Sequence, residues 1–180
     1  MKVRDLELQG LRLLELDVFS DSRGFFLERI NLAKCRTHGL PFEFAQDNHS
    51  CSNSGVLRGL HYQYNPPQAK VVGVTRGKIW DVVVDLRRSS KTFLKHFGIE
   101  LSAENGRLLF IPPGFAHGFC VLGEEPADVL YKVDTIYNPK GESGLLWDDP
   151  ELAIRWPVKN PTVSDRDKKL QSVRDLLDKN

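Results

Sequence analysis

The chain is short of several things that would settle its class quickly. Of its 180 residues only three are cysteine: Cys35, Cys51 and Cys120. They are odd in number, far apart and form no CxxC pair, which argues against a disulfide framework or a structural zinc site. Reduced thiols suit a cytoplasmic protein. Charge excess is missing too: 25 Lys and Arg stand against 24 Asp and Glu, so no overall field draws the chain to nucleic acid or to an anionic membrane. The opening MKVRDLELQGLRLLELDVF carries charges throughout and reads as neither signal peptide nor membrane span. Cytoplasmic is therefore the expectation, with no nucleic-acid or membrane partner. The GxGxxG and GxxxxGK[ST] loops of nucleotide folds are absent, as are alternating βα units, which argues against a Rossmann sheet.

What is present reads as short strands with regular turns. Val71–Thr75 is apolar and β-branched, Arg76-Gly77 is a turn signal, and Ile79–Leu86 (IWDVVVDL) is a second strong strand. His96–Leu101 and Arg107–Ile111 flank Asn105-Gly106, a pair that favours a hairpin turn with both central residues at positive φ. Gly118–Leu122 and Asp128–Val133 read as two more strands. Helix is expected in two places. Asn31–His38 forms a short one. The tail from Ser164 to Asn180 is stronger, with Ser164 as N-cap and Leu170, Val173, Leu176 and Leu177 at helical spacing. Length and pattern fit a single domain over 1–180, a double-sheet jelly roll of the all-β class.

Candidate chemistry centres on the stretch VLRGLHYQYNPPQAKVV, residues 56–72. Jelly rolls of the cupin type often bind metal through an HxH pair, but two residues after His61 stands Gln63. No HxH or HExxH spacing exists, so a metal site has no support in spacing. His61 is then a base or a packed histidine, and for a lone histidine beside a strand packing is the blander reading. Three features favour function. Arg58 lies close before it, and an arginine fork suits a phosphate. Lys70 enters an apolar strand, where an inward ammonium is costly unless it meets an anion. Asp165 or Asp167 near the C-terminus can orient an imidazole, although both also suit a helix's first turn. His117, within GFAHGF, and Tyr131, within DVLYKV, read as packing residues when taken alone. Arg23, Gln46, Asp47 and Asn48 read as turn chemistry. His38, His49 and His96 are expected at the surface or in structural roles.

Taken together, the motifs DSRGFFLE, QDNHS, VLRGLHYQ, QAK, WDVVVDLR, LSAEN, IPPGFAHGF, LYK, YNP and SDRD, in this order from Asp21 to Asp167, resemble the dTDP-4-dehydrorhamnose 3,5-epimerase family. The resemblance implies a cupin-type double-stranded β-helix with an exchanged N-terminal strand and short C-terminal helices, working as a homodimer without metal or cofactor. Its substrate would be dTDP-4-dehydro-6-deoxy-D-glucose, inverted at C3 and C5 to give dTDP-4-dehydro-L-rhamnose. By the same resemblance His61 is the base and Asp167 its carboxylate. Lys70 holds the enolate, and Tyr131 is the proton donor on the opposite face. Arg23, Glu28, Gln46, Asp47, Asn48, Arg58, His117, Glu142 and Arg166 fall on substrate-binding positions, with Arg23 and Glu28 serving the partner chain's site.

The chemistry agrees with these residue types. Removing a proton next to a ketone leaves charge on the carbonyl oxygen, which a cation stabilises. A lysine of ordinary pKa, about 10.4, is charged there, and a histidine near 6.5 suits the base. Rival readings are a single-centre epimerase of another dTDP-4-keto sugar, a non-catalytic jelly-roll sugar-binding module, and a metal-dependent cupin enzyme.

Overall fold

The computed structural model describes residues 1–40 and 43–178. It is built almost wholly of strands, arranged as two facing sheets. The first sheet runs β1 (Lys2–Asp5), β2 (Arg12–Glu15), β10 (Arg107–Ile111), β7 (Lys70–Arg76), β12 (Ala127–Val133), β5 (Gln46–Ser52). The second runs β13 (Glu142–Gly144), β6 (Val56–Gln63), β11 (Phe115–Leu122), β8 (Lys78–Asp85), β9 (His96–Ser102), with β14 (Thr162–Val163) parallel to β6. The chain crosses repeatedly between the sheets, which makes a cupin-type jelly roll.

Alternation along the strands decides what faces what. Val72 and Val74 of β7, Ile79 and Val83 of β8, and Ala127 and Val129 of β12 meet in one buried cluster between the sheets. Lys70, Asp81 and Tyr131 fall in step with those residues, so they share the inner face. The opposite faces are also covered. Val82 and Val84 pack with Leu145, Leu152 and Val173 of the C-terminal segment, while Val71, Leu108 and Phe110 pack with Cys35 and Leu40. Cys35 belongs to α1 (Leu32–Thr37), whose N-cap Asn31 accepts from the N–H groups of Ala33 and Lys34. Burial on both faces is why β7 and β8 read as near-continuous apolar runs.

One element stands apart. The hairpin of β3 (Val18–Asp21) and β4 (Gly24–Leu27) pairs with neither sheet. Its Phe19, Phe25 and Phe26 are 63–68% exposed, far more than aromatic rings in a folded chain usually are.

Two expectations from the sequence change here. The Asn105-Gly106 turn forms, but it closes no hairpin: β9 pairs with β8 in one sheet, and β10 pairs with β2 and β7 in the other. Only Gly106 takes positive φ, at 58°, while Asn105 is not among the positive-φ residues. Asn105 instead accepts the Arg107 N–H through its side chain, an Asx turn that redirects the chain between layers. The tail is not one helix either. Ser164 does cap a turn, taking the Asp167 N–H on its hydroxyl at 3.1 Å. That turn is a short 3-10 piece, Asp167–Lys169, after which Leu170 is extended. Gln171 then bridges to Leu145 and accepts the Leu146 N–H, so sheet-like pairing interrupts the helix. A second helix, α2 (Val173–Asp178), starts afresh with Ser172 and Asp175 bonding reciprocally. The last two residues of the expected tail lie outside the described residues.

Candidate active site

A cavity of about 780 Å³ opens between the sheets. Gln46, Asn48, Lys70 and Tyr131 line it from the first sheet. Arg58, His61, His117 and Glu142 line it from the second, and Arg166 and Asp167 from the C-terminal segment.

Strict alternation would send Arg58 and His61, three residues apart, to opposite faces. The ladder between β6 and β11 slips here: His117 pairs with His61 but Phe119 with Arg58, so three steps on β6 oppose two on β11. This bulge turns both side chains inward. Gly59 makes it possible. Its φ is 120°, and a Cβ there would stand 2.6 Å from Gly118 Cα and 2.9 Å from the His117 carbonyl oxygen, room that only glycine leaves.

His61 Nε2 lies 2.8 Å from Asp167 Oδ1, and Asp167 Oδ2 accepts the Gly59 N–H at 3.0 Å. Burial pushes the Asp167 carboxyl up, but the bonds from His61 and Gly59 outweigh it and hold it below the usual range. A carboxylate offers only acceptors, so Nε2 carries the hydrogen, and in the neutral ring the lone pair is on His61 Nδ1. This is the arrangement a general base needs.

Lys70 does not keep an ordinary pKa, which corrects the reading from sequence. Burial pushes its ammonium down to about 8, with Glu142 and Asp81 pulling the other way. The protonated form still leads by roughly ten to one at pH 7. Burial raises the Tyr131 phenol, Arg58 opposes the rise and Glu142 adds to it, so the group keeps its proton but is a weaker acid than a free tyrosine.

At the mouth, Glu142 accepts from Arg166 and, at 2.9 Å, from the Tyr137 hydroxyl. The Tyr137 N–H bonds Gln46 Oε1, and Gln46 Nε2 bonds Asn48 Oδ1 at 2.7 Å. A polar belt thus runs from the edge strand β5 to the segment that carries Asp167.

Three predicted residues stay outside the cavity of this chain. Asp47, between the inward Gln46 and Asn48, faces away and pairs with Lys132. Arg23 pairs with Asp21 on the exposed hairpin, and Glu28 with Lys34 and Asn31. Asp165 is exposed and paired with Lys168, so Asp167 alone meets His61. The sequence reading overlooked Tyr137 and Asp81. Tyr137 stood in the quoted YNP motif without a role. Asp81, buried and 2.8 Å from His117 Nε2, had a usable signal: an acid inside an apolar strand requires a partner.

Fold and site together define an acid–base enzyme of the cupin-type jelly-roll class. The family model described as dTDP-4-dehydrorhamnose 3,5-epimerase matches residues 5–175. The chain belongs to that family. It is 50% identical over 169 residues to the dTDP-4-dehydrorhamnose 3,5-epimerase of Shigella flexneri, covering 93% of each chain. Among solved structures, that enzyme from Bacillus anthracis, carrying TDP and PPi, is 47% identical with a TM-score of 0.92, covering 96% of this chain and 99% of the other. The dTDP-6-deoxy-D-glucose-3,5-epimerase of Legionella pneumophila, in complex with dTDP-4-keto-L-rhamnose, is 39% identical with a TM-score of 0.92, covering 96% and 93%.

Proposed function

We propose that this chain inverts C3 and C5 of dTDP-4-dehydro-6-deoxy-D-glucose to give dTDP-4-dehydro-L-rhamnose. The observation that carries the reading is the His61–Asp167 pair at 2.8 Å in a cavity shared with Lys70 and Tyr131. His61 Nδ1 takes the proton next to the ketone. The C–H electron pair moves toward the carbonyl, and the charge reaching the oxygen meets the Lys70 ammonium. Tyr131 returns a proton to the opposite face of C5, water entering the cavity returns one to the opposite face of C3, and His61 and Tyr131 recover their starting states by exchange with solvent. The acid–base set performs this without metal or cofactor.

Gln46, Asn48, Arg58, His117, Glu142 and Arg166 bind the nucleotide sugar around this centre. The β3–β4 hairpin crosses to a second copy, where Arg23 and Glu28 complete the site. The exposed Phe19, Phe25 and Phe26 support that homodimer, because burying them against a partner is favourable. We place the protein in the cytoplasm as a single domain spanning 1–180. Among the described residues no helix is long and apolar enough to cross a membrane.

Proton NMR of the substrate with enzyme in deuterated water tests the reading. Deuterium is expected at both C3 and C5. Label at one carbon alone indicates a single-centre epimerase, and label at neither overturns the reading.

A further inference from the structure

The cavity holds a second histidine–carboxylate pair, and its carboxylate, Asp81, has no role in the proposed reaction. His117 is 8% exposed and Asp81 fully buried, and His117 Nε2 lies 2.8 Å from Asp81 Oδ2. Asp81 shares the inner face of β8 with Ile79 and Val83, where an apolar side chain would join the cluster those two already form. Instead the strand buries a carboxylate whose Oδ1 has no hydrogen-bond partner among the described residues. A buried acid that makes so few bonds is costly. Packing therefore does not explain Asp81, but its effect on His117 does.

We infer that Asp81 is a positioning residue: it holds His117 with the hydrogen on Nε2, so that Nδ1 accepts a hydrogen bond from a ring hydroxyl of the hexose. The carboxylate can only accept, so it fixes Nε2 as the donor. The neutral ring then keeps its lone pair on Nδ1, which has no partner among the described residues although the ring lines the cavity. His117 and His61 are direct partners across the β6–β11 ladder. A hydroxyl held by one ring is therefore set beside the base on the other, and a small error in that setting weakens catalysis. The inference deepens the epimerase reading and rests on it for the identity of the occupant.

The test uses the full-length protein labelled with 15N-histidine. Long-range 15N–1H correlation spectra of the wild type are expected to show His117 protonated at Nε2 and bare at Nδ1. The Nδ1 resonance should move when the dTDP-4-keto sugar is added and stay still with dTDP alone. Asp81→Asn places an amide of the same shape against Nε2. Once its N–H faces the ring, it drives the hydrogen to Nδ1, while the His61 signals remain as they were. In that variant kcat/KM for the nucleotide sugar is expected to fall roughly tenfold to a hundredfold, with dTDP affinity unchanged.

A hydrogen on Nδ1 in the wild type overturns the inference, whether or not Asp81→Asn folds. So does an Nδ1 signal indifferent to the sugar, or an Asp81→Asn enzyme of undiminished kcat/KM. If C3 and C5 still exchange deuterium in any of these cases, the epimerase reading survives alone. Exchange at neither carbon removes that reading, and the inference with it.

Discussion

His61 and His117 face each other as partners across the β6–β11 ladder, and each ring binds a different buried carboxylate through Nε2, at 2.8 Å in both cases. The carboxylates come from distant parts of the chain. Asp81 sits on β8, the neighbour of β11 on the other side, and Asp167 on the turn that follows β14. Both rings are therefore held from behind and keep Nδ1 for whatever enters the cavity. The bulge at Gly59 sets the spacing between this pair and Arg58. Base and arginine thus depend on one local irregularity of β6.

His61→Asn removes the proposed base; its shorter amide does not reach the place of Nε2, and Asp167 keeps its bond from the Gly59 N–H. Turnover is expected to fall by about 10²–10⁴, the usual worth of a positioned general base. The melting temperature and dTDP affinity should stay near those of the wild type. Steady-state assay, calorimetric titration with dTDP and a thermal melt check this together. A variant within a few-fold of wild-type kcat would remove His61 from its role.

Lys70 presents a trade between stability and function. In the fold its pKa is about 8, whereas in the unfolded chain it is about 10.4. The unfolded state therefore binds the proton more tightly. The penalty on the fold is complete below pH 8 and disappears as pH rises to about 10.4, amounting to roughly 3 kcal/mol. Lys70→Met should lose turnover yet unfold at higher urea concentration at pH 7. Its advantage should shrink toward pH 10.5. A less stable Lys70→Met at pH 7 would show that the ammonium is well accommodated in the fold.

Asp85 is the opposite case, an acid buried for structure. Its carboxyl is held down at about 2: burial raises it, but Arg87, Ser90, Thr92 and the Arg87 N–H more than compensate. This stability is fully present above roughly pH 4 and is lost as pH falls through the folded value, about 2–3 kcal/mol in all. Asp85→Asn should lower the unfolding free energy at pH 7 by that order and flatten its decline in acid. Activity at 25 °C should survive. Urea unfolding at pH 3 and pH 7 for both proteins measures the difference.

The strands of the core were legible because β7, β8 and β10 carry apolar runs that suit a sheet covered on both faces, while β12 alternates. The ordered motifs gave His61, Lys70 and Tyr131, all of which line the cavity. Asp47 does not line the cavity of this chain, and the cue was present, since alternation with Gln46 and Asn48 turns it outward. The Asn105-Gly106 turn shows a deeper limit. Local chemistry specifies a bend, while the choice of partner strand is made by contacts far off in sequence. The same limit hid the Asp81–His117 bond, whose members are 36 residues apart, and the lowered pKa of Lys70, which is set by burial. The tail failed as a single helix because Gln171 found a backbone partner in Leu145, and no periodicity within the tail encodes that.

Tyr131→Phe deletes the proposed donor and keeps the ring that packs against the cluster of Val129 and Ala127. Inversion at C5 should fall more steeply than proton exchange at C3, because a phenyl ring returns no proton to the opposite face. Following deuterium at each carbon over time separates the two rates. Equal losses at C3 and C5 would take away its role as a selective donor.

If the β3–β4 hairpin is exchanged between two copies, as proposed above, a result follows that a single-chain reading cannot share. Arg23 sits between two strands that pair with neither main sheet, and among the described residues its side chain pairs with Asp21 alone. Arg23→Ala alone should weaken dTDP binding, and His61→Asn alone should abolish turnover. The informative species is the heterodimer of one chain of each kind. If Arg23 acts across the interface, the site with an intact His61 receives an intact Arg23 from its partner. One of the two sites is then whole, and about half the wild-type activity returns, an expectation from counting sites rather than from new contacts. If Arg23 serves its own chain, one site lacks the arginine and the other the base, so mixing restores nothing. Co-expression with two affinity tags isolates the heterodimer. Recovery near one half would establish the crossing, and its absence would return the hairpin to its own chain.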